Sequence, residues 1–456
     1  MTLDTQGLLA PQIPHATKLF NTLLNNNIAV DTSETGTGKT YSACAIAASL
    51  AKTTVVVCPK SVIPKWKNLL EQYGIKKSIV INYELLCRGN TKWLEYSDKI
   101  YTHKWETCKV KFPKDCFVIL DESHKCKGQN SLNAGLLIAL KNQKYSVMLL
   151  SATQACSPLD MKAFGYATDL HKLQDFKSFC LDYGAEIDNR FGALKFDAED
   201  KKAQAKMKLC HRELFDIKQY ASRLSRNEFG NLFPDNHVVA EAFDMGDNTK
   251  KINDVYDKME YEISKLEEHS ADYSSHIFAI MMKARRHAEL LKVPTIVEMA
   301  EQLFDENNSV ALFLNFNDTI DAIVSRLNKN LLKQIAFVRG GQKWKERYQH
   351  ISEFQSDKRR IMLANIKAGG VSIDLHDLNG NHPRCSIVSP NFSAIELIQA
   401  LGRIHRQGGL TKCYQQIMFA AGTIEERACQ RVQMRLNNLS CLNDGDLMDG
   451  FNYFKF

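Results

Sequence analysis

Residues 33–40 read SETGTGKT, a string suited to holding phosphate. It follows a short apolar segment, Ile28, Ala29 and Val30, and precedes a helical run over residues 41–51. In that strand–loop–helix setting the backbone N–H groups of Gly36, Thr37 and Gly38 line a concavity at the positive end of a helix. Lys39 brings a point charge to the terminal phosphates of a nucleotide, and the Thr40 hydroxyl is placed to ligate Mg²⁺. Ser33 stands where the common form of this loop begins with glycine.

A second group lies about eighty residues on. The apolar run Cys116, Phe117, Val118, Ile119, Leu120 leads straight into Asp121, Glu122, Ser123 and His124. Adjacent carboxylates at a strand end can divide the work, Asp121 holding Mg²⁺ through water and Glu122 orienting and deprotonating an attacking water. A solvated acidic turn is the plainer reading, and the phosphate loop upstream argues against it. Far downstream, residues 399–406 read QALGRIHR with a helical pattern. Arg403 and Arg406, three apart, would share one helix face and could reach the γ-phosphate of a nucleotide held elsewhere. On its own, a salt-bridged surface helix would explain them better. Together the three groups predict an ATP hydrolase that uses ATP and Mg²⁺.

These residues need strands to present them. Continuous apolar, β-branched runs between helical patterns predict a mostly parallel, doubly wound α/β sheet from strands at 28–31, 53–58, 79–82, 116–120 and 146–150. A second such sheet is predicted from strands near 310–315, 335–338, 360–364 and 385–389. The expected organisation is residues 1–235 as a first lobe with a helical insertion at about 155–230, and 236–247 as a hinge. A second lobe follows over 248–436, opening with charged helices at 250–303, then a tail at 437–456. Pro234 and Gly246, each followed by an aspartate, suggest the hinge.

At 456 residues, with 44% hydrophobic and 24% charged residues, the chain has room for two lobes of about 200 residues. No apolar run approaches the roughly 18 residues of a membrane span, and the first residues lack a secretory pattern. The expectation is an intracellular, soluble protein without a membrane partner. Thirteen scattered cysteines without a CxxC pair predict reduced, buried thiols. A net charge of +7 suits a polyanion. Residues 88–114 carry seven basic and three acidic side chains with Trp93, Tyr96, Tyr101 and Trp105. That mixture suits a nucleic-acid strand, and a hairpin with its aromatics packed on the first lobe is the alternative. The aromatic tail (Phe451, Tyr453, Phe454, Phe456) is expected to pack on a lobe.

In order and spacing these segments resemble the superfamily-2 helicases and translocases, closest to the Swi/Snf type, over about residues 8–430. Residues 9–12 (LAPQ) resemble the glutamine motif. Residues 55–66, ending in Trp66, resemble motif Ia, and residues 81–86 motif Ib. DESH is similar to motif II of the DEAH-box kind, and Ser151–Ala152–Thr153 to motif III. Residues 311–316 resemble motif IV, residues 365–375 motif V, and residues 399–406 motif VI. Arg223 and Arg226, followed by Leu232, Phe233 and Pro234, resemble the Swi/Snf inter-lobe segment, and residues 288–297 the annealing-helicase branch. Motif III reads Ser–Ala–Thr where Swi/Snf proteins usually have Thr–Gly–Thr, and residues 374–390 resemble viral or phage members.

The resemblance implies two RecA-like lobes in tandem with helical insertions. It implies Gln12 at the adenine, with Ser33, Gly36, Thr37, Gly38, Lys39, Thr40, Asp374 and Gln399 at the nucleotide. Nucleic-acid contacts are implied at Lys60, Ser61, Asn82, Tyr83, Asn315, Gly340, Lys367 and Gly369, mostly to the sequence-independent backbone. It also implies that hydrolysis by Lys39, Asp121, Glu122, Arg403 and Arg406 is coupled to lobe closure. Duplex or forked DNA is the expected partner, with a single-stranded DNA or RNA helicase, a subunit of a larger complex targeted by a protein partner, and a non-stepping clamp as alternatives.

Overall fold

The computed structural model describes residues 2–87, 91–96, 108–152, 157–187, 193–197, 200–266, 273–366, 373–390 and 394–426. They fall into two compact units that meet in the chain between Gly230 and Asn231.

In the first unit the strands are β1 (Ile28–Asp31), β2 (Thr53–Cys58), β3 (Ser78–Asn82), β4 (Leu94–Tyr96), β5 (Cys108–Val110), β6 (Cys116–Asp121), β7 (Ser146–Leu150), β8 (Ala185–Ile187), β9 (Leu194–Phe196) and β10 (Ala221–Ser222). Six of them form a parallel sheet in the order β10-β1-β7-β6-β2-β3. Alternate residues feed two cores. Val55, Val57, Val118 and Leu120 face one, while Val56, Cys58, Phe117 and Ile119 face the other. Helices Gln12–Asn26, Lys39–Leu50 and Ile63–Gln72 cover the second face with Leu19, Ile46 and Trp66. Helix Leu132–Asn142 covers the first with Leu136 and Leu140. Each fully buried aliphatic side chain contributes about 1.5–3 kcal/mol, so a sheet covered on both faces is a stiff platform for what its strand ends carry.

One expectation changes here, and an alternative reading holds. The stretch after residue 155 is not wholly helical: β8 and β9 form an antiparallel hairpin before helix Lys201–Arg212. In the basic, aromatic segment, β4 and β5 pair as a hairpin. Trp93 packs against Phe112 with ring centroids 6.1 Å apart, and the Tyr96 hydroxyl donates to the Cys87 carbonyl at 2.9 Å. Those two aromatics are therefore packing residues, while Tyr101 and Trp105 lie outside the described residues.

The strands of the second unit are β11 (Asn236–Phe243), β12 (Ser309–Leu314), β13 (Ile335–Val338), β14 (Ile361–Asn365), β15 (Arg384–Val388) and β16 (Cys413–Ala420). They form a second parallel sheet, β11-β16-β15-β12-β14-β13. Helices Asp247–Ser264, Tyr273–Leu291 and Val293–Asp305 precede it in sequence apart from β11. Residues 236–247, expected as a hinge, carry β11, which pairs with β16 from Asn236↔Cys413 to Phe243↔Ala420. Pro234 and Gly246 bracket that strand rather than mark a linker, and Val238 and Ala240 are buried on it. The ten described cysteines are all buried and unbridged. Among the described residues no helix is long and apolar enough to cross a membrane.

Candidate nucleotide and nucleic-acid sites

In both units the candidate residues gather at the carboxyl ends of parallel strands, the usual ligand edge of such sheets. β1 runs into the phosphate loop, β2 into Lys60 and Ser61, β3 into Tyr83, β6 into Glu122 and β7 into Ser151. β7 lies between β1 and β6, so the loop and the acid pair start about 10 Å apart, two strand spacings.

The loop turns at Gly36 and Gly38, with φ of 87° and 89°. A Cβ on Gly38 would fall 2.1 Å from Gln12 Nε2, so glycine is required there by both conformation and space. Gln12 ties its helix to the loop, donating to the Thr37 carbonyl at 2.8 Å and accepting from the Leu9 amide at 2.8 Å. Lys39 opens helix Lys39–Leu50, with Thr40 next to it. The Lys39 ammonium donates to the carbonyls of Ser33 at 2.6 Å and Glu34 at 2.8 Å. Desolvation by the loop lowers its pKa, against the attraction of Asp31, Glu122 and Asp121.

Behind the loop, the Ser33 amide donates to Asp31 at 2.9 Å. His15 Nε2 lies 3.3 Å from the other Asp31 oxygen, and its Nδ1 is 2.9 Å from Ser222 Oγ. Burial opposes the Asp31 carboxylate, but His15, Lys39 and the Ser33 hydroxyl outweigh it and hold its pKa below the ordinary value. In front, Glu34 is clasped by two arginines. Arg223 donates to Glu34 at 3.3 Å and to the Thr32 carbonyl at 3.3 Å. The Arg226 amide donates to Glu34 at 3.0 Å, and its guanidinium donates to the Thr35 carbonyl at 3.1 Å and to the Thr35 hydroxyl.

Asp121 ends β6 with its carboxylate held by neutral donors, Trp66 Nε1 at 2.8 Å and the Glu122 amide at 3.0 Å. Burial and the adjacent Glu122 carboxylate push the Asp121 pKa up to about 6. Glu122 adopts a left-handed backbone, φ 53°, a conformation costing about 1–3 kcal/mol in a non-glycine residue. His124 Nδ1 lies 3.3 Å from Glu122 and 3.2 Å from Ser151 Oγ, joining the ends of β6 and β7.

Of the expected nucleic-acid contacts in the first unit, Lys60 and Ser61 are exposed, and Asn82 is half-buried, donating to Glu84 at 3.0 Å. Tyr83 is different. Its ring is fully buried and its hydroxyl donates to the Asp121 carbonyl at 2.9 Å. Its side chain supports the acid pair and is not available to an outside strand.

In the second unit Asn315 follows β12, and its amide group is engaged by Glu289, Ser389 and the Pro390 carbonyl. The buried Glu289 also accepts from the backbone amides of Asn315 at 3.1 Å and Phe316 at 3.2 Å, and from Ser389 Oγ at 2.7 Å. Gly340 is exposed beyond β13. Lys367 and Gly369 lie outside the described residues, as does Thr153. Helix Ala394–Leu401 carries the buried Gln399 but ends before both arginines, so Arg403 and Arg406 occupy the following turn rather than one helix face. Gly402 and the Leu375 amide, which donates to the Arg403 carbonyl at 2.9 Å, turn the chain there. Arg403 is buried and donates to the Ile373 carbonyl at 3.4 Å. Arg406 pairs with Asp374 at 2.6 Å.

Sequence reasoning missed the role of Glu34, which occupies a spacer position of the loop motif, and of Glu289. Arg223, Arg226 and Trp66 were visible in the motif pattern without their partners.

The family profile of the type III restriction enzyme res subunit matches residues 11–155, and that of the helicase conserved C-terminal domain matches residues 292–408. A putative ATP-dependent RNA helicase of Acanthamoeba polyphaga mimivirus is 32% identical over 99% of this chain and 86% of its own length. An uncharacterized ATP-dependent helicase of Mycoplasma genitalium is 24% identical over 88% of this chain, which spans 38% of that protein. The DNA repair and recombination protein RAD54 of Saccharomyces cerevisiae is 28% identical over 31% of this chain and 15% of its own length. The SWI2/SNF2 ATPase core of Sulfolobus solfataricus in complex with dsDNA aligns over 98% of this chain and 95% of its own, at 16% identity and a TM-score of 0.39.

Proposed function

We propose that this chain, which belongs to the ATP-dependent helicases of superfamily 2 and is an ATP hydrolase, couples hydrolysis to movement along or remodelling of duplex or forked DNA. The observation that carries the reading is the convergence of Lys39, Asp121 and Glu122 on one sheet edge. There a half-buried carboxylate with its pKa pushed up to about 6 stands beside a second carboxylate.

In this reading Gln12 reads the adenine, and the loop amides of residues 33–40 cradle the phosphates. Lys39 exchanges the Ser33 and Glu34 carbonyls for phosphate oxygens. Thr40 and Asp121 offer hard oxygen ligands of the kind Mg²⁺ takes, and the charge crowding at Asp121 is what a divalent cation would relieve. Bound there, the metal would neutralise phosphate charge. Glu122, steadied by His124, orients and deprotonates the attacking water. Arg403 and Arg406 stabilise charge on the transferring phosphoryl group, with Asp374 and Gln399 assisting at the nucleotide. Lys60, Ser61, Asn82, Asn315, Gly340, Lys367 and Gly369 grip the nucleic-acid backbone. The domain plan is a nucleotide-binding first lobe and a second lobe completing the motor.

The RAD54 matches support DNA. The mimivirus relative, named as a putative RNA helicase, supports a second reading in which the substrate is RNA or an unpaired strand. Steady-state ATP hydrolysis with no nucleic acid, duplex DNA, forked DNA, single-stranded DNA and RNA separates them. Strong stimulation by duplex or forked DNA supports the translocase. Stimulation by RNA or single strands only favours the second reading, and a rate indifferent to all of them sinks the motor as an autonomous unit. Arg403→Ala should remove hydrolysis and spare nucleotide binding, and loss of binding in that variant contradicts its assignment.

A further inference from the structure

Trp344 and Tyr348 are the most exposed large hydrophobic side chains among the described residues, at 65% and 69% of their full surfaces. They sit four apart at the start of helix Trp344–Gln355, a spacing that sets both on one face. Their helix is anchored by other residues: Phe354 is buried, and His350 lies 3.0 Å from the Phe337 amide of β13. Trp344 and Tyr348 therefore leave most of their surfaces to solvent, and exposed aromatics on one helix face mark a surface open to a partner.

The surroundings say by what. Residues 339–348 hold four basic side chains and one acidic. Arg339 and Arg347 are spent internally, on Asp321 at 2.9 Å and on the Arg339 carbonyl at 2.9 Å. Lys343 and Lys345 flank Trp344 and are exposed, with the Lys345 ammonium 6.0 Å from the indole centroid. The preceding Gly340 and Gly341 are exposed too, and a Cβ on Gly341 would meet nothing within 4 Å. Flat π faces interleaved with lysines beside an open backbone match unpaired bases and their phosphates. A duplex keeps its base faces inside its own stack, and a second copy of this chain would bring the same positive face against itself.

We propose that this face binds a single-stranded nucleic-acid segment, with bases stacked on Trp344 and Tyr348 and phosphates held by Lys343 and Lys345. The proposal rests on the motor reading and refines it, giving the second unit a grip on an unpaired strand such as a fork exposes.

The test uses the full chain and fluorescence anisotropy with labelled oligothymidine, oligouridine and a DNA duplex of equal length. Trp344→Ala and Tyr348→Ala should each weaken oligothymidine binding by about tenfold. Duplex affinity and hydrolysis without nucleic acid should stay unchanged, and Trp344→Phe should keep most of the affinity. Removing both lysines should flatten the dependence of log affinity on log salt by about 1.4, which loss of the aromatics should not do. Parallel losses on oligouridine assign the face to either sugar, and losses on oligouridine only assign it to RNA. Unchanged strand affinity in both aromatic variants overturns the proposal, as do equal losses on duplex. A shift in sedimentation of Trp344→Ala without any change in strand binding makes the face a protein interface instead. Failure of the unaltered chain to bind any of the three nucleic acids would instead defeat the motor reading itself.

Discussion

Asp121 in the first unit and Asp357 in the second are shielded carboxylates treated in opposite ways. Asp121 has neutral donors and a second carboxylate beside it, and its pKa rises to about 6. Asp357 has a side chain only 8% exposed and pairs with the fully buried Arg384 at 2.7 Å. It also accepts from Asn379 at 2.9 Å. Burial opposes its charge, but Asn379 and Arg384 outweigh that and hold its pKa below the ordinary value. Lys292 and Glu425 likewise pair at 2.9 Å in the interior of the second unit. The difference separates chemistry from architecture. At its sheet edge the first unit crowds the Asp121 and Glu122 carboxylates together, where an incoming divalent cation is worth most. In the second unit the Asp357–Arg384 and Lys292–Glu425 pairs match charge with charge and hold strands and loops.

The largest effect should come from the first kind of site. Lys39→Ala is expected to lower turnover by about 10³-fold or more. Near-normal turnover in that variant would break the assignment. The second kind of site should answer in stability. Lys292→Ala leaves Glu425 buried without its cation and should cost about 3–5 kcal/mol. Urea unfolding followed on the second unit reads this, and Lys292→Met combined with Glu425→Leu should recover most of the loss. A neutral Lys292→Ala would mean that the pair holds nothing together. Between the two lies Glu34, whose arginine clasp shapes the loop without touching the reaction. Glu34→Ala should raise the KM for ATP by about tenfold, some 1.4 kcal/mol, with kcat largely kept. The reverse pattern, a lower kcat at constant KM, would move the clasp into the transition state.

The sequence showed the sites far better than it showed what supports them. Strand cores such as Val55–Val56–Val57 and Phe117–Val118–Ile119 are apolar on both faces, so β2 and β6 fell within a residue of their expected ends. The phosphate loop and the acid pair are contiguous strings and were equally visible. What stayed hidden was carried by side chains far apart in sequence. Glu289 meets Asn315 across 26 positions and Ser389 across 100, and no local pattern announces either contact. β10 is two residues long, below any periodicity. β11 was masked by the turn residues that flank it. Helical spacing carried Arg403 and Arg406 past the true helix end at Leu401, because Gly402 stops a helix without disturbing the apolar rhythm. Tyr83 looked like a surface contact from its motif, and its burial follows from lying directly after β3 beneath the end of β6.

One substitution, Asp to Asn, can be made in both units. Asn keeps the size of Asp and removes its charge. Asp357 has its folded pKa below its unfolded value near 3.9, so its contribution is full above that value and fades as pH falls through the folded pKa. Asp357→Asn should destabilise the second unit by about 1–2 kcal/mol at neutral pH, and the gap from the unaltered chain should close below about pH 4. Asp121 is the opposite case. Its folded pKa is raised, so at neutral pH its carboxylate is a cost to the fold that is relieved as pH falls from above 6 towards 4. Asp121→Asn should therefore stabilise the first unit at neutral pH, by about 1 kcal/mol, while removing hydrolysis. Unfolding curves for both variants at pH 7 and at low pH decide the matter. Losses of the same sign and size at both positions would show that the two carboxylates are held alike, and the division between a site poised for chemistry and a framework of matched charges would not stand.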